Sequence, residues 1–244
     1  HVALREAQHR LEEQNHDLER RVAERTREVV VTQDVTIRAL ASLAETRDNE
    51  TGNHIRRTQR YVRVLAEKLR LNPAFADELD DRAIELLFKS APLHDIGKVG
   101  IPDRILLKPD RLDEDEFAIM KTHVTLGRDA LVAAETESEG TDCISFLRVA
   151  REIAYSHHEK WDGSGYPEGL ANTAIPLSAR LMAVADVYDA LISKRVYKPS
   201  WSHDRAVATI HEGRGSHFDP AVLDAFSAAE TEFQDIAAQF KDHE

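Results

Sequence analysis

The placement of glycine and proline constrains this chain more than any other feature. Neither residue occurs in positions 1–45, and both cluster at 97–109 and 163–176. A long run without a breaker predicts a continuous helix, and the clusters mark loops. Within the run, Leu4, Leu11 and Leu18 recur every seven residues, and Val22 and Val29 continue that interval after a four-residue step. Most positions between them are Glu, Arg, Gln or His. This is the pattern of a coiled coil with a stutter. One alternative is a lone amphipathic helix packed on a domain. A helix this polar is marginal alone, so the expected reading of residues 1–45 is a parallel, dimeric linker helix.

From about Asp48 the pattern changes to a run of helices. Ile55, Val62, Leu65 and Leu69 share one face, and Ile84, Leu87, Phe88 and Ala91 share another. Pro92 breaks the turn before His94. Asp113 and Glu116 form a capping-box pattern. A helix is expected over Ile144–His158, and another from Pro176 to about Arg195. Asp219-Pro220 opens the last one. Strand-like alternation is scarce, so the expected class is all-α.

Charge narrows the function classes. The 32 basic and 44 acidic residues give a formal net charge of −12, which argues against a general nucleic-acid binder. Any anionic substrate must then meet local positive charge. The single cysteine, Cys143, excludes an intrachain disulfide and a thiolate zinc knuckle, and fits a reducing compartment. No apolar run is long enough to span a bilayer, and no signal peptide is visible. The first residue is His1, so a longer parent protein is expected.

Twelve histidines are present, and their surroundings separate them. His94-Asp95 lies at a predicted helix end, followed by Gly97-Lys98. His157-His158-Glu159 lies at another, followed by Asp162-Gly163-Ser164-Gly165-Tyr166-Pro167. His123 lies between them. Glu50 and His54 are four residues apart and can face one way on a helix. Asp186 falls in the apolar stretch Leu181–Leu191, where a carboxylate is costly unless it is ligating or paired, for instance with Arg180. Helical neighbours diverge by about 100°, so His94-Asp95 and His157-His158 suit a wide cluster, with one side chain per ion or a bridging carboxylate. An imidazole and carboxylate set without sulfur fits Fe, Mn, Ni, Co or Zn. Two such ions can generate a hydroxide nucleophile and clamp a phosphodiester for in-line attack. His9, His16, His203, His211, His217 and His243 read as surface or structural.

These motifs resemble the HD-GYP domain, a branch of the HD phosphohydrolase superfamily. The likeness covers roughly residues 35–230 and includes Gly215-Ser216-His217-Phe218-Asp219-Pro220 near its end. It implies an all-α helical bundle of the HD-domain type over residues 46–244, preceded by the coiled-coil helix. It implies a bacterial cytoplasmic phosphodiesterase that hydrolyses cyclic di-GMP to pGpG or on to GMP. The implied ligands are His94, Asp95, His123, His157, His158 and Asp186, with Asp95 bridging and catalytic. Glu50 and His54 match an upstream pair that permits a third ion. The implied cofactors are two or three divalent transition-metal ions, iron or manganese first, then nickel, cobalt or zinc. Lys98 would contact the scissile phosphate, Arg195 and Lys198 would make further phosphate contacts, and Tyr166 would lie near a guanine or its ribose. The GYP loop implies a contact with diguanylate cyclase domains. The linker resembles helices that follow a sensory or receiver domain, and it implies a homodimer. Two rivals are a cyclic di-GMP-binding signalling module with little turnover, and a phosphodiesterase for another cyclic dinucleotide.

Overall fold

The computed structural model describes residues 2–45, 47, 52–136, 141–193 and 200–241. Among them lie eleven α-helices: α1 Val2–Glu45, α2 Gly52–Leu69, α3 Asp81–Ser90, α4 Asp103–Leu106, α5 Glu114–Lys121, α6 His123–Thr136, α7 Thr141–Ser156, α8 Leu177–Ile192, α9 His203–Glu212, α10 Pro220–Ser227 and α11 Glu230–Gln239. No β-strand occurs among the described residues, only two isolated bridges, so the class is all-α.

The chain divides into two compact units, His1–Ala39 and Leu40–Glu244. The first is the body of α1, unbroken as its lack of glycine and proline predicts. Its seam residues Leu11, Leu18, Val22 and Val29 are each more than half exposed. Pairs such as Arg21–Asp17 and Arg25–Glu28 line its surface, where solvent screens them and each adds little.

The second unit is built around α2 and α8. Leu181, Met182, Val184, Ala185 and Tyr188 of α8 are buried, as are Tyr61, Val62 and Leu65 of α2. The rings of Tyr61 and Phe233 stack at 4.3 Å, and Tyr188 meets Tyr61 edge-on at 5.3 Å. The caps stand where expected. The Asp113 side chain accepts from the Glu116 amide while Glu116 reaches back to the Asp113 amide. Asp219 caps α10, with Pro220 in its first turn. Helix α8 stops at Ile192, short of Arg195, because Ser193 turns to an extended conformation. Helix α7 stops at Ser156 rather than His158.

Two short 3-10 turns, Ala91–Leu93 and Ile96–Gly100, carry His94 and Asp95 between them. The second turn lies directly against the start of α6. A Cβ added to Gly97 would stand 1.9 Å from the His123 carbonyl oxygen and 2.5 Å from the Gly127 amide nitrogen. Both obstacles are backbone, so nothing can yield cheaply. Gly97→Ala is expected to lose about 1–3 kcal/mol through this overlap. Gly100→Ala, whose added carbon would meet only the flexible Leu126 side chain, is expected to lose less. Urea unfolding midpoints of the two variants check the difference.

Candidate metal centre

Four histidines orient their rings in one way. His94 Nδ1 lies 3.0 Å from the Ala91 carbonyl oxygen, His123 Nδ1 2.7 Å from that of Met120, and His157 Nδ1 3.0 Å from that of Ile153. Each acceptor belongs to the turn preceding the histidine, at or near a helix end where carbonyls lack a full set of intrahelical partners. His54 Nδ1 lies 2.8 Å from Asp189 Oδ2. An acceptor oxygen obliges Nδ1 to donate, so in each neutral ring Nε2 carries the lone pair.

Those Nε2 atoms converge on Asp95. His123 Nε2 lies 3.3 Å and His157 Nε2 3.7 Å from Asp95 Oδ1, while His94 Nε2 lies 3.3 Å from Asp95 Oδ2. His54 Nε2 is 3.3 Å from His94 Nε2, which is 4.0 Å from Asp186 Oδ1. Two donors about 2.1 Å from one ion stand about 3.0–3.4 Å apart at tetrahedral or right angles, so the three 3.3 Å separations suit co-ligands, and the other two are slightly wider. Asp95, His123, His157 and His158 form one group able to hold an ion, and His54, His94 and Asp186 form a second. Asp95 faces both.

The donor set fits metal better than an internal polar network. Asp95 Oδ1, His123 Nε2 and His157 Nε2 are buried and make no hydrogen bond. Such orphaned atoms are costly in an interior, and the two imidazole nitrogens lie within 4 Å of Asp95 Oδ1, a donor set that fits a divalent cation. Burial pushes His157 well down and takes His158 to about 3, with neighbouring imidazoles adding to the effect. Both rings are therefore neutral and ligand-ready near pH 7. Burial alone would raise Asp95, but Lys98 and His94 outweigh it and hold the carboxylate well below its usual range. Lys98 Nζ lies 2.8 Å from Asp95 Oδ2.

The structure corrects two sequence expectations. His157 and His158 fall in one ligand group, with ring centroids 4.0 Å apart. The 100° divergence does not apply to them, because α7 has already ended. Arg180 does not pair with Asp186; its Nη1 donates to Asp219 Oδ2 at 2.6 Å. Glu50, Arg195, Lys198 and His243 lie outside the described residues. His203 and His211 take structural partners, the Tyr188 hydroxyl and Glu230.

The loop after His158 borders the centre. Glu159 accepts from the Glu168 and Leu170 amides at 2.8 and 3.0 Å, folding the loop back. A Cβ on Gly165 would meet the Lys160 amide nitrogen at 2.3 Å, which explains the glycine. Tyr166, joined to Pro167 by a cis peptide, lays its ring 4.8 Å from that of His158. Phe117 meets Tyr166 edge-on at 6.2 Å.

Sequence reasoning missed three residues here. Asp189 and Arg57 are buried beside His54, and Glu45 Oε1 lies 3.8 Å from His54 Nε2. The signal for Asp189 was available: it is a second carboxylate in the same apolar stretch as Asp186.

The HD-domain family model matches residues 38–222. The chain belongs to the HD-domain family. Within that family its motifs are those of the HD-GYP type. A cyclic di-GMP phosphodiesterase of Vibrio cholerae serotype O1 is 61% identical over 215 residues, covering 88% of this chain and 43% of the relative. A cyclic di-GMP phosphodiesterase response regulator, RpfG of Xanthomonas campestris pv. campestris, is 39% identical over 239 residues, covering 98% and 59%. A crystal structure of a cyclic GMP-AMP specific phosphodiesterase of V. cholerae superposes with a TM-score of 0.57 at 19% identity, over 86% of this chain and 51% of the other; this likeness shows the fold. The chain spans about half the length of the curated relatives it matches.

Asp95→Ala is expected to abolish metal retention in both ligand groups, whereas Asp186→Ala should empty only the group of His54 and His94. Metal content per chain, by plasma mass spectrometry after desalting, checks both.

Proposed function

We propose that this HD-GYP chain hydrolyses the phosphodiester bonds of cyclic di-GMP, using two or three divalent ions held by His54, His94, Asp95, His123, His157, His158 and Asp186. The observation that carries this reading is the convergence of the orphaned Asp95, His123 and His157 atoms beside Lys98. The identity to cyclic di-GMP phosphodiesterases supports the substrate. Iron or manganese suits the nitrogen and oxygen donors. Glu50 is the candidate for an added ligand on the His54 side.

When bound, such ions polarise the phosphodiester and activate water. The chain's own residues do the rest. Asp95 offers one carboxylate oxygen to each ligand group and so sets their spacing. Lys98 contributes a point charge where charge builds on the phosphate. Its ammonium pairs with Asp95 until a phosphate oxygen competes for it. Tyr166, packed on His158, forms a wall that suits a guanine or ribose. Arg195 and Lys198 would make phosphate contacts, by their match to the family motif. Together these cations supply the local positive charge that a −12 protein otherwise lacks.

The exposed seam of α1 supports a homodimer through that helix, and an upstream sensory or receiver domain as the input. Pairing of α1 helices would bury Leu11, Leu18, Val22 and Val29. A coiled coil of this kind transmits a signal by shifting register. A diguanylate cyclase domain contacting the GYP loop fits the same arrangement.

The test is hydrolysis of cyclic di-GMP by the metal-loaded protein, with pGpG and GMP followed by chromatography and cyclic GMP-AMP run in parallel. Turnover of cyclic di-GMP above that of cyclic GMP-AMP is expected. Binding without turnover would make the chain a signalling module instead. In saturating metal, Lys98→Ala is expected to lower turnover on the order of 100–1000-fold, the usual cost of removing one charge-stabilising group.

A further inference from the structure

Two polar pairs face each other across the packed helices α2 and α8. His54 and Arg57 are three residues apart on α2, and Asp186 and Asp189 are three apart on α8, so each pair shares a helix face. The first member of each pair belongs to a ligand group. The second members meet each other instead. Arg57 Nε donates to Asp189 Oδ1 at 2.6 Å, and Arg57 Nη2 donates to Asp189 Oδ2 at 2.9 Å. Arg57 Nη2 also reaches the Ser193 hydroxyl at 2.9 Å, and Nη1 the Phe240 carbonyl at 2.8 Å. Asp189 Oδ2 in turn accepts from His54 Nδ1 at 2.8 Å and from Ser193 Oγ at 3.2 Å.

We infer that Asp189, locked by the Arg57 fork, is the positioning residue that fixes the ring of His54 and gives its ligand group its affinity for metal. Of the four histidines oriented through Nδ1, His54 alone uses a carboxylate rather than a backbone carbonyl as its acceptor. A carboxylate is the stronger acceptor, so it both fixes the tautomer and enriches Nε2 as a donor to metal. Arg57 follows from Asp189. A buried carboxylate alone is costly, and a bidentate guanidinium keeps it ionised and fixes its plane. Stability by itself does not account for the arrangement. A buried ion pair contributes little compared with an apolar pair of similar size. The Ser193 and Phe240 contacts tie the ends of α8 and α11 to the same node.

This inference rests on the metal-centre reading and goes beyond it to the residues behind the ligands. The test is titration of metal-free protein with Mn2+ by calorimetry, with the electron paramagnetic resonance spectrum of bound Mn2+ recorded at each step, for the wild type, Asp189→Asn and Arg57→Gln. The expected result for Asp189→Asn is one class of site weakened about 10–100-fold, the usual cost of removing such a supporting partner. The other class should keep its affinity, and excess Mn2+ should restore the wild-type spectrum. Arg57→Gln should shift the same class in the same direction by less, and it decides the matter if Asp189→Asn does not fold. Unchanged affinity in both classes overturns the inference. Equal loss in both classes that excess Mn2+ does not repair marks a purely structural role and also overturns it. Failure of the wild type to bind Mn2+ at all would instead sink the metal-centre reading, and this inference with it.

Discussion

The hydrogen bond from an imidazole Nδ1 to a fixed acceptor is the interaction on which this centre depends. Three acceptors are carbonyls in the turn before the histidine, at Ala91, Met120 and Ile153, and the fourth is Asp189. A histidine placed just past a helix end finds an acceptor provided by the helix itself. Its ring is then held, and its second nitrogen points away from that acceptor. The helix ends therefore act as ligand holders. Three such ends, those of the Ala91–Leu93 turn, α5 and α7, come together with His54 of α2 and the carboxylates of Asp95 and Asp186.

That packing depends on small residues at defined positions. Gly97 lets the turn carrying Asp95 touch the backbone of α6, so that Asp95 and His123 come within 3.3 Å. Any side chain there would force the turn and the helix apart. Burial then acts on the donors in opposite ways. It strips charge from His157 and His158, leaving them neutral, while Lys98 and His94 keep Asp95 ionised against the same burial. Neutral His157 and His158 beside an ionised Asp95 are the protonation states a divalent cation requires.

Local signals in the sequence were sufficient for much of this. Breaker placement foretold α1, but of the two breaker clusters 97–109 holds a 3-10 turn and the short α4 rather than a plain loop. The capping pair Asp113 and Glu116, and the Asp219-Pro220 start of α10, were readable because each is satisfied within a few residues. The histidines that the fold gathers into the candidate centre stood in motifs of fixed spacing. What escaped was set by distance along the chain or by where helices end. Asp189 finds Arg57 across 132 residues, and no periodicity links them. Arg180 had two carboxylates within reach, and only the fold selects Asp219. The sharing of one ligand group by His157 and His158 turned on α7 ending at Ser156, and helix ends are the least certain feature of any sequence reading.

The most direct test of the account is anomalous X-ray diffraction from crystals of the protein reconstituted with Mn2+ or Fe2+. The account predicts one anomalous peak among Asp95, His123, His157 and His158, and a second among His54, His94 and Asp186, with Asp95 contributing an oxygen to each and His54, His94, His123 and His157 ligating through Nε2. Peaks elsewhere on the protein, ligation through Nδ1, or a centre that stays empty in saturating metal would contradict it.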